Sequence, residues 1–140
     1  KLLPKNFEQV RQSQIGFPGG GIDLDNQARA NLQVMVEYMK ADPSVNHITL
    51  DGHSDNSGNR LTNRDLSRRR ALAVMDFFKE NGIQESQITL RFHGEQYPLV
   101  RNSSAANRAR NRRVSVRLER VPAPEKTTSP VGTTNPASVS

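Results

Sequence analysis

His47-Ile48-Thr49-Leu50-Asp51-Gly52 reads as a short strand, the polar stretch Ser54–Arg60 as a loop, and Asn63 to Asn81 as a helix that stops at Gly82. Glycine just past the last periodic residue is a helix C-terminal signal. A strand that passes through a polar loop into a long helix is the building unit of a layered α/β fold. The rest of the chain is read outward from this unit.

Upstream, Val10 to Phe17 reads as a strand with Val10, Ile15 and Phe17 as its apolar residues. Pro18-Gly19-Gly20-Gly21 breaks it. Asp25 is placed as the N-cap of a helix whose apolar side is Leu32, Met35, Val36 and Met39, and Ala41-Asp42-Pro43 ends that helix. Downstream, Gln87 to His93 alternates through Ile88, Leu90 and Phe92 as a third strand. Residues 95–103 read as a loop, Ala105 to Arg110 as one or two helical turns, and Val114, Val116 and Leu118 alternate in a last strand. The order β-α-β-α-β-(α)-β predicts an α/β fold with two main helices packed on one mixed sheet of about four strands.

The chain has 140 residues, enough for one domain and too few for two separate cores. That domain is expected over residues 10–120. Residues 1–9 read as a lead-in from a missing upstream region, because the chain opens at Lys1-Leu2-Leu3-Pro4 without a methionine. From Val121 the composition shifts to Pro, Thr and Ser, and residues 121–140 are expected to be a disordered tail. Cysteine is absent, which removes disulfide and thiolate chemistry. No apolar run approaches the roughly 20 residues of a membrane span. The net charge is +6, and Arg outnumbers Lys. That balance suits nucleic acid, anionic lipid or an anionic wall polymer.

Two residues stand out. In Asn63-Arg64-Asp65-Leu66-Ser67-Arg68-Arg69-Arg70-Ala71, Arg70 lies four residues after Leu66 and four before Val74. At about 3.6 residues per turn it shares the apolar stripe of Leu66, Val74, Phe77 and Phe78. A charge on that face needs a partner or a route to water. Asp55, in the glycine-bounded loop Gly52-His53-Ser54-Asp55-Asn56-Ser57-Gly58, is the expected carboxylate. Together they would grip a small zwitterion, with Asp55 on an ammonium and Arg70 on a carboxylate. The plainer alternative is that Arg70 snorkels to any nearby acid and that Asp-Asn-Ser-Gly is turn chemistry alone.

The segments Gly52-His53-Ser54-Asp55-Asn56-Ser57-Gly58, Asn63-x-x-Leu66-Ser67-x-x-Arg70-Ala71-x-x-Val74, Gly94-Glu95-x-x-Pro98 and Asn111-Arg112-Arg113-Val114 occur in order. In this the chain resembles the OmpA C-terminal-like family of periplasmic peptidoglycan-binding domains, over about residues 10–120. The resemblance implies a two-layer sandwich that binds the peptidoglycan stem peptide non-covalently, chiefly its diaminopimelate residue. It assigns the grip to Asp55 and Arg70, supporting contacts to Asn63 and Arg112, and an apolar wall to Leu66. It implies no catalysis, cofactor or metal, a periplasmic location in a Gram-negative envelope, and an anchoring role for an upstream domain, an envelope assembly or a flagellar motor. The lead-in and the basic second helix also resemble the C-terminal half of MotY-type motor proteins. One departure is the run Pro18-Gly19-Gly20-Gly21, where many relatives carry an acidic or Asn side chain. Backbone groups would have to substitute there.

Other chemistries fare less well. His53 and His93 each end a predicted strand and can approach one another, but a zinc site needs three or four ligands, so both are read as structural. Ser54 lies next to His53 and Asp55 in sequence, which forbids a nucleophile relay. The rival class is a nucleic-acid-binding module built on Arg68-Arg69-Arg70 and Arg108-x-Arg110-x-Arg112-Arg113. The aromatic fraction is only 5%, and no aromatic–basic interleaving accompanies those clusters.

Overall fold

A computed structural model describes residues 8–122, with β1 (Glu8–Gly16), α1 (Asn26–Ala41), β2 (His47–His53), α2 (Arg60–Glu80), β3 (Ile88–Phe92), α3 (Ala105–Asn111) and β4 (Arg113–Arg120). The sheet order is β1-β4-β2-β3. β4 runs antiparallel to both β1 and β2, and β2 runs parallel to β3, so the sheet is mixed as the element order predicts. β2 and β3 are joined through α2, the crossover that parallel neighbours require.

Strand alternation sorts the two faces. Ile48, Leu50, Val114, Val116 and Leu118 face the helices, and all are fully buried. They meet Leu32, Met35 and Val36 of α1 and Val74 and Phe78 of α2 in one core. The other face carries Thr49, Asp51 and His53 of β2 beside Ser115 and Arg117 of β4, and among the described residues no helix covers it.

Local signals set the element ends. Asp25 Oδ1 accepts from the Ala28 amide at 2.8 Å, the N-cap read from sequence. Gly82 has φ +94°, its N–H donates to Lys79 O and that of Ile83 to Phe78 O, the Schellman pattern that ends α2. α2 begins at Arg60, three residues before the expected start, because the Asn59 side chain caps it by accepting from Thr62 N at 2.8 Å. A short 3-10 turn at Glu85–Gln87, not anticipated, delays β3 to Ile88. β1 begins at Glu8, so Glu8 and Gln9, assigned to the lead-in, pair with Arg120 and Glu119 of β4. The expected tail falls outside the described residues from 123 onward, as does the lead-in over 1–7.

Gly52 is where helix and sheet come closest. A Cβ there would lie 2.1 Å from the Ser67 carbonyl oxygen. This contact brings α2 down on β2 one turn before Arg70, at the mouth of the Asp55 loop.

Candidate functional site

Arg70 is 1% exposed, the largest of the fully buried side chains. The helical phase therefore placed it correctly on the core side. Its partner differs from the expectation. Nε donates to Gly21 O at 2.9 Å, Nη2 to Gly20 O at 2.9 Å and Nη1 to His53 O at 3.4 Å, and the guanidinium lies 5.7 Å from the Phe17 ring centroid. Asp55 pairs instead with Arg112, Nη1 to Oδ2 at 2.6 Å. Arg112 reaches the same glycine-rich loop, donating from Nε to Phe17 O at 3.1 Å and from Nη2 to Pro18 O.

The physical reason lies in Pro18-Gly19-Gly20-Gly21. With no side chain to offer, the loop turns its carbonyls inward, and Gly20 adopts the left-handed φ of +86°. Carbonyl oxygens then satisfy the buried guanidinium. The expected substitution of backbone for side chain does occur, but the backbone serves the two arginines.

Three charges thus meet at one rim: Asp55, Arg70 and Arg112. Burial works against the Asp55 charge. Hydrogen bonds from the Ser57 backbone and from Arg112 outweigh it and hold the carboxyl below its ordinary range. Arg70 is shifted downward by burial and by the Arg112 charge, with Asp55 opposing. Each guanidinium carries five N–H groups. Three on Arg70 and three on Arg112 are engaged, so each keeps donors free. Asp55 accepts from Ser57 N and Arg112, which leaves lone pairs on both oxygens.

The two other predicted residues sit differently. Asn63 is 1% exposed and committed to the chain: Nδ2 donates to Gly58 O at 2.9 Å and to Glu95 Oε1 at 2.6 Å, and Oδ1 accepts from Gly58 N at 3.1 Å. It shapes the Asp55 loop. Leu66 is half-buried one turn before Arg70, at the end of the apolar stripe rather than inside it.

Several supporting residues escaped the sequence reading. Ser67 Oγ donates to Arg64 O and accepts from Gly94 N at 2.9 Å, clamping α2 to the chain after β3. Ser54 N donates to Gly94 O at 2.9 Å and fixes the start of the Asp55 loop. Asn111 is fully buried, and its amide makes four bonds to Leu99, Val100 and Asn102, tying the loop before α3 to the base of Arg112. All lie inside the quoted motifs, which is the signal that could have found them. His53 and His93 do stack, with centroids 5.1 Å apart. Among the described residues no group of three or more His, Asp or Glu side chains is arranged to hold a metal ion.

A model of the OmpA family matches residues 16–112, a span that contains Asp55, Arg70 and Arg112. The chain belongs to the OmpA family. This OmpA-family domain is 36% identical over 118 residues to outer membrane porin F of Pseudomonas aeruginosa, covering 83% of this chain and 33% of the porin. It is 23% identical to the sodium-type flagellar protein MotY of Vibrio parahaemolyticus, covering 85% of this chain and 41% of that protein. The domain therefore spans about a third to two fifths of these relatives' length. Its fold matches the crystal structure of the peptidoglycan-associated lipoprotein from Burkholderia pseudomallei, with TM-score 0.69, 26% identity and coverage of 76% of this chain and 88% of that one.

Proposed function

We propose that this OmpA-family domain binds peptidoglycan non-covalently at Asp55, Arg70 and Arg112, and so anchors a larger envelope or flagellar motor assembly to the wall on the periplasmic side. The observation that carries the reading is a charge imbalance at one rim: Arg112, bonded to Asp55, and Arg70, near enough to feel its charge, share one carboxylate. A group bearing both an ammonium and a carboxylate completes that arrangement, and the side chain of diaminopimelate in the stem peptide is such a group. Its ammonium joins the free lone pairs of Asp55. Its carboxylate takes the remaining N–H groups of Arg112, the more exposed arginine, with Arg70 beneath. The domain holds its ligand and performs no reaction on it.

The nucleic-acid alternative loses its main support in the structure. Arg68 and Arg69 both pair with Asp65, at 2.8 and 2.7 Å, and Arg70 and Arg113 are buried. Two of the seven clustered arginines are thus buried, and Arg68 and Arg69 share one carboxylate. Family membership adds weight to the wall reading, since the relative whose structure it matches is named for its association with peptidoglycan.

Sedimentation with isolated sacculi tests the proposal. Wild-type domain is expected in the pellet, and folded Asp55→Ala and Arg112→Ala variants in the supernatant. Equal pelleting of all three overturns the site.

A further inference from the structure

The face of the sheet away from α1 and α2 holds a polar constellation that the wall site does not use. Asp51 is its centre. Oδ1 accepts from Arg91 Nε at 2.8 Å and pairs with His93 Nε2 at 2.7 Å, while Oδ2 accepts from Arg91 Nη2 at 3.1 Å and Arg117 Nη2 at 3.0 Å. A cleft of about 430 Å³ opens beside it, bordered by His53, Arg91, His93, Tyr97 and Arg117. None of Asp55, Asn63, Leu66, Arg70 or Arg112 borders this cleft.

Donors outnumber acceptors here. Arg91 and Arg117 share the single carboxylate of Asp51. Glu119, the other acid on this face, is 1% exposed and already engaged by His47 and Thr49. Arg113 stands opposite His53 in the β2–β4 register. It gives Nη1 and Nη2 to the carbonyls of Asn111 and Tyr97, and its Nε is buried with no partner among the described residues. His53 is 5% exposed, and its Nδ1 is likewise buried without a partner.

Buried polar atoms in folded proteins are nearly always bonded. Of the two residues with orphan atoms, His53 borders the cleft, beside the guanidiniums of Arg91 and Arg117, and an acceptor placed there would meet all three. Burial, with the charges of Arg113 and His93, holds the His53 imidazole down to about 4. It is therefore neutral near pH 7 and free to carry its proton on Nδ1 as a donor.

We propose that this face of the sheet binds a single oxyanion, a carboxylate or a phosphate, in the cleft beside Asp51, gripped by Arg91 and Arg117 and reached by His53. Carboxylates and phosphates both present two oxygens that match the guanidinium fork, and the local excess of positive charge supplies the attraction. Asp51 stays as the internal counter-ion that orients both arginines. The inference is independent of the wall-site reading.

Nuclear magnetic resonance titration of the labelled domain tests it, with inorganic phosphate in one series and acetate in another, ionic strength being held constant with sodium chloride. Saturable shifts of the His53 ring and Arg117 guanidinium signals are expected in at least one series. Arg117→Gln should weaken that binding about tenfold or more, the effect of losing one charged hydrogen bond. Arg69→Gln makes the same charge change on the solvent side of α2 and should leave it unchanged. If Arg117→Gln unfolds the domain, the half-exposed Arg91→Gln takes its place. Saturation by phosphate alone assigns the ligand to phosphates, and by acetate alone to carboxylates. Shifts that never saturate in either series, or that the cleft variant leaves intact, overturn the proposal.

Discussion

Arg112 Nη1 lies 2.6 Å from Asp55 Oδ2, and this pair joins the loop after β2 to the start of β4 across the edge of the glycine-rich loop. Both partners are largely buried, at 17% and 9% side-chain exposure. Removing one therefore strands the other. Arg112→Ala is expected to destabilise the domain by about 1–3 kcal/mol, the penalty for an unpaired buried group. The Asp55 carboxyl, now held low, should titrate at higher pH in the variant. Urea unfolding and carbon-detected titration of Asp55 check the two effects, and an unchanged Asp55 titration contradicts the coupling.

Arg70 is secured by carbonyls, so its loss should act on the fold as well as on binding. Arg70→Met leaves Gly20 O and Gly21 O without their donors. A loss of about 1–3 kcal/mol is expected in urea unfolding. Arg70→Lys should recover little of it, because one compact ammonium lacks the planar spread of Nε and Nη2 that places separate donors on Gly21 O and Gly20 O. Full recovery by Lys would show that charge alone is needed.

Glycine substitutions separate packing from composition. Gly52→Ala drives a Cβ to 2.1 Å from the Ser67 carbonyl and should cost about 3 kcal/mol or more, since neither strand nor helix backbone can give way cheaply. Gly19→Ala meets nothing within 4 Å and should change stability by no more than about 0.5 kcal/mol. Similar thermal midpoints for both variants contradict the close helix–sheet approach.

Stability should fall with acid in two stages. The folded His53 pKa is depressed from 6.5 to about 4, so the unfolded chain takes up the proton first. Its contribution is present above pH 6.5 and is lost as pH falls through that interval to 4. Asp51 is depressed from 3.8 to about 2; burial opposes the charge, but hydrogen bonds from Arg91 and His93 and the charges of Arg91 and Arg117 prevail. Its contribution is lost in the lower window, from 3.8 down towards 2. Urea midpoints measured from pH 7 to pH 4 should decline, and His53→Gln should flatten that decline.

The fold was legible because its signals are local. Ile48 and Leu50 in β2, the Asp25 cap and Gly82 each act within a few residues, and the alternation of Val114, Val116 and Leu118 fixed the buried face of β4. The site was legible as a set of residues but not as a set of bonds. Helical phase put Arg70 inside, yet nothing local says that Gly20 and Gly21, some fifty positions away, turn carbonyls towards it. With its guanidinium taken, Arg112 was left to Asp55. Asn63 matched a ligand-contact position by resemblance, while its amide is spent on Gly58 and Glu95. The early start of α2 was missed because Asn59 sits in a loop-like run of polar residues, and its capping role depends on backbone direction.

The central claim is that Asp55 and the two arginines together hold an ammonium and a carboxylate on one side chain. Its most direct measurement is calorimetric titration of the folded domain with a stem tripeptide ending in diaminopimelate, and with the same tripeptide ending in lysine. Lysine keeps the ammonium and lacks the distal carboxylate. The diaminopimelate peptide should bind at least about tenfold more tightly, the worth of one charge-assisted hydrogen-bond pair. Equal affinity for the two peptides would contradict the account.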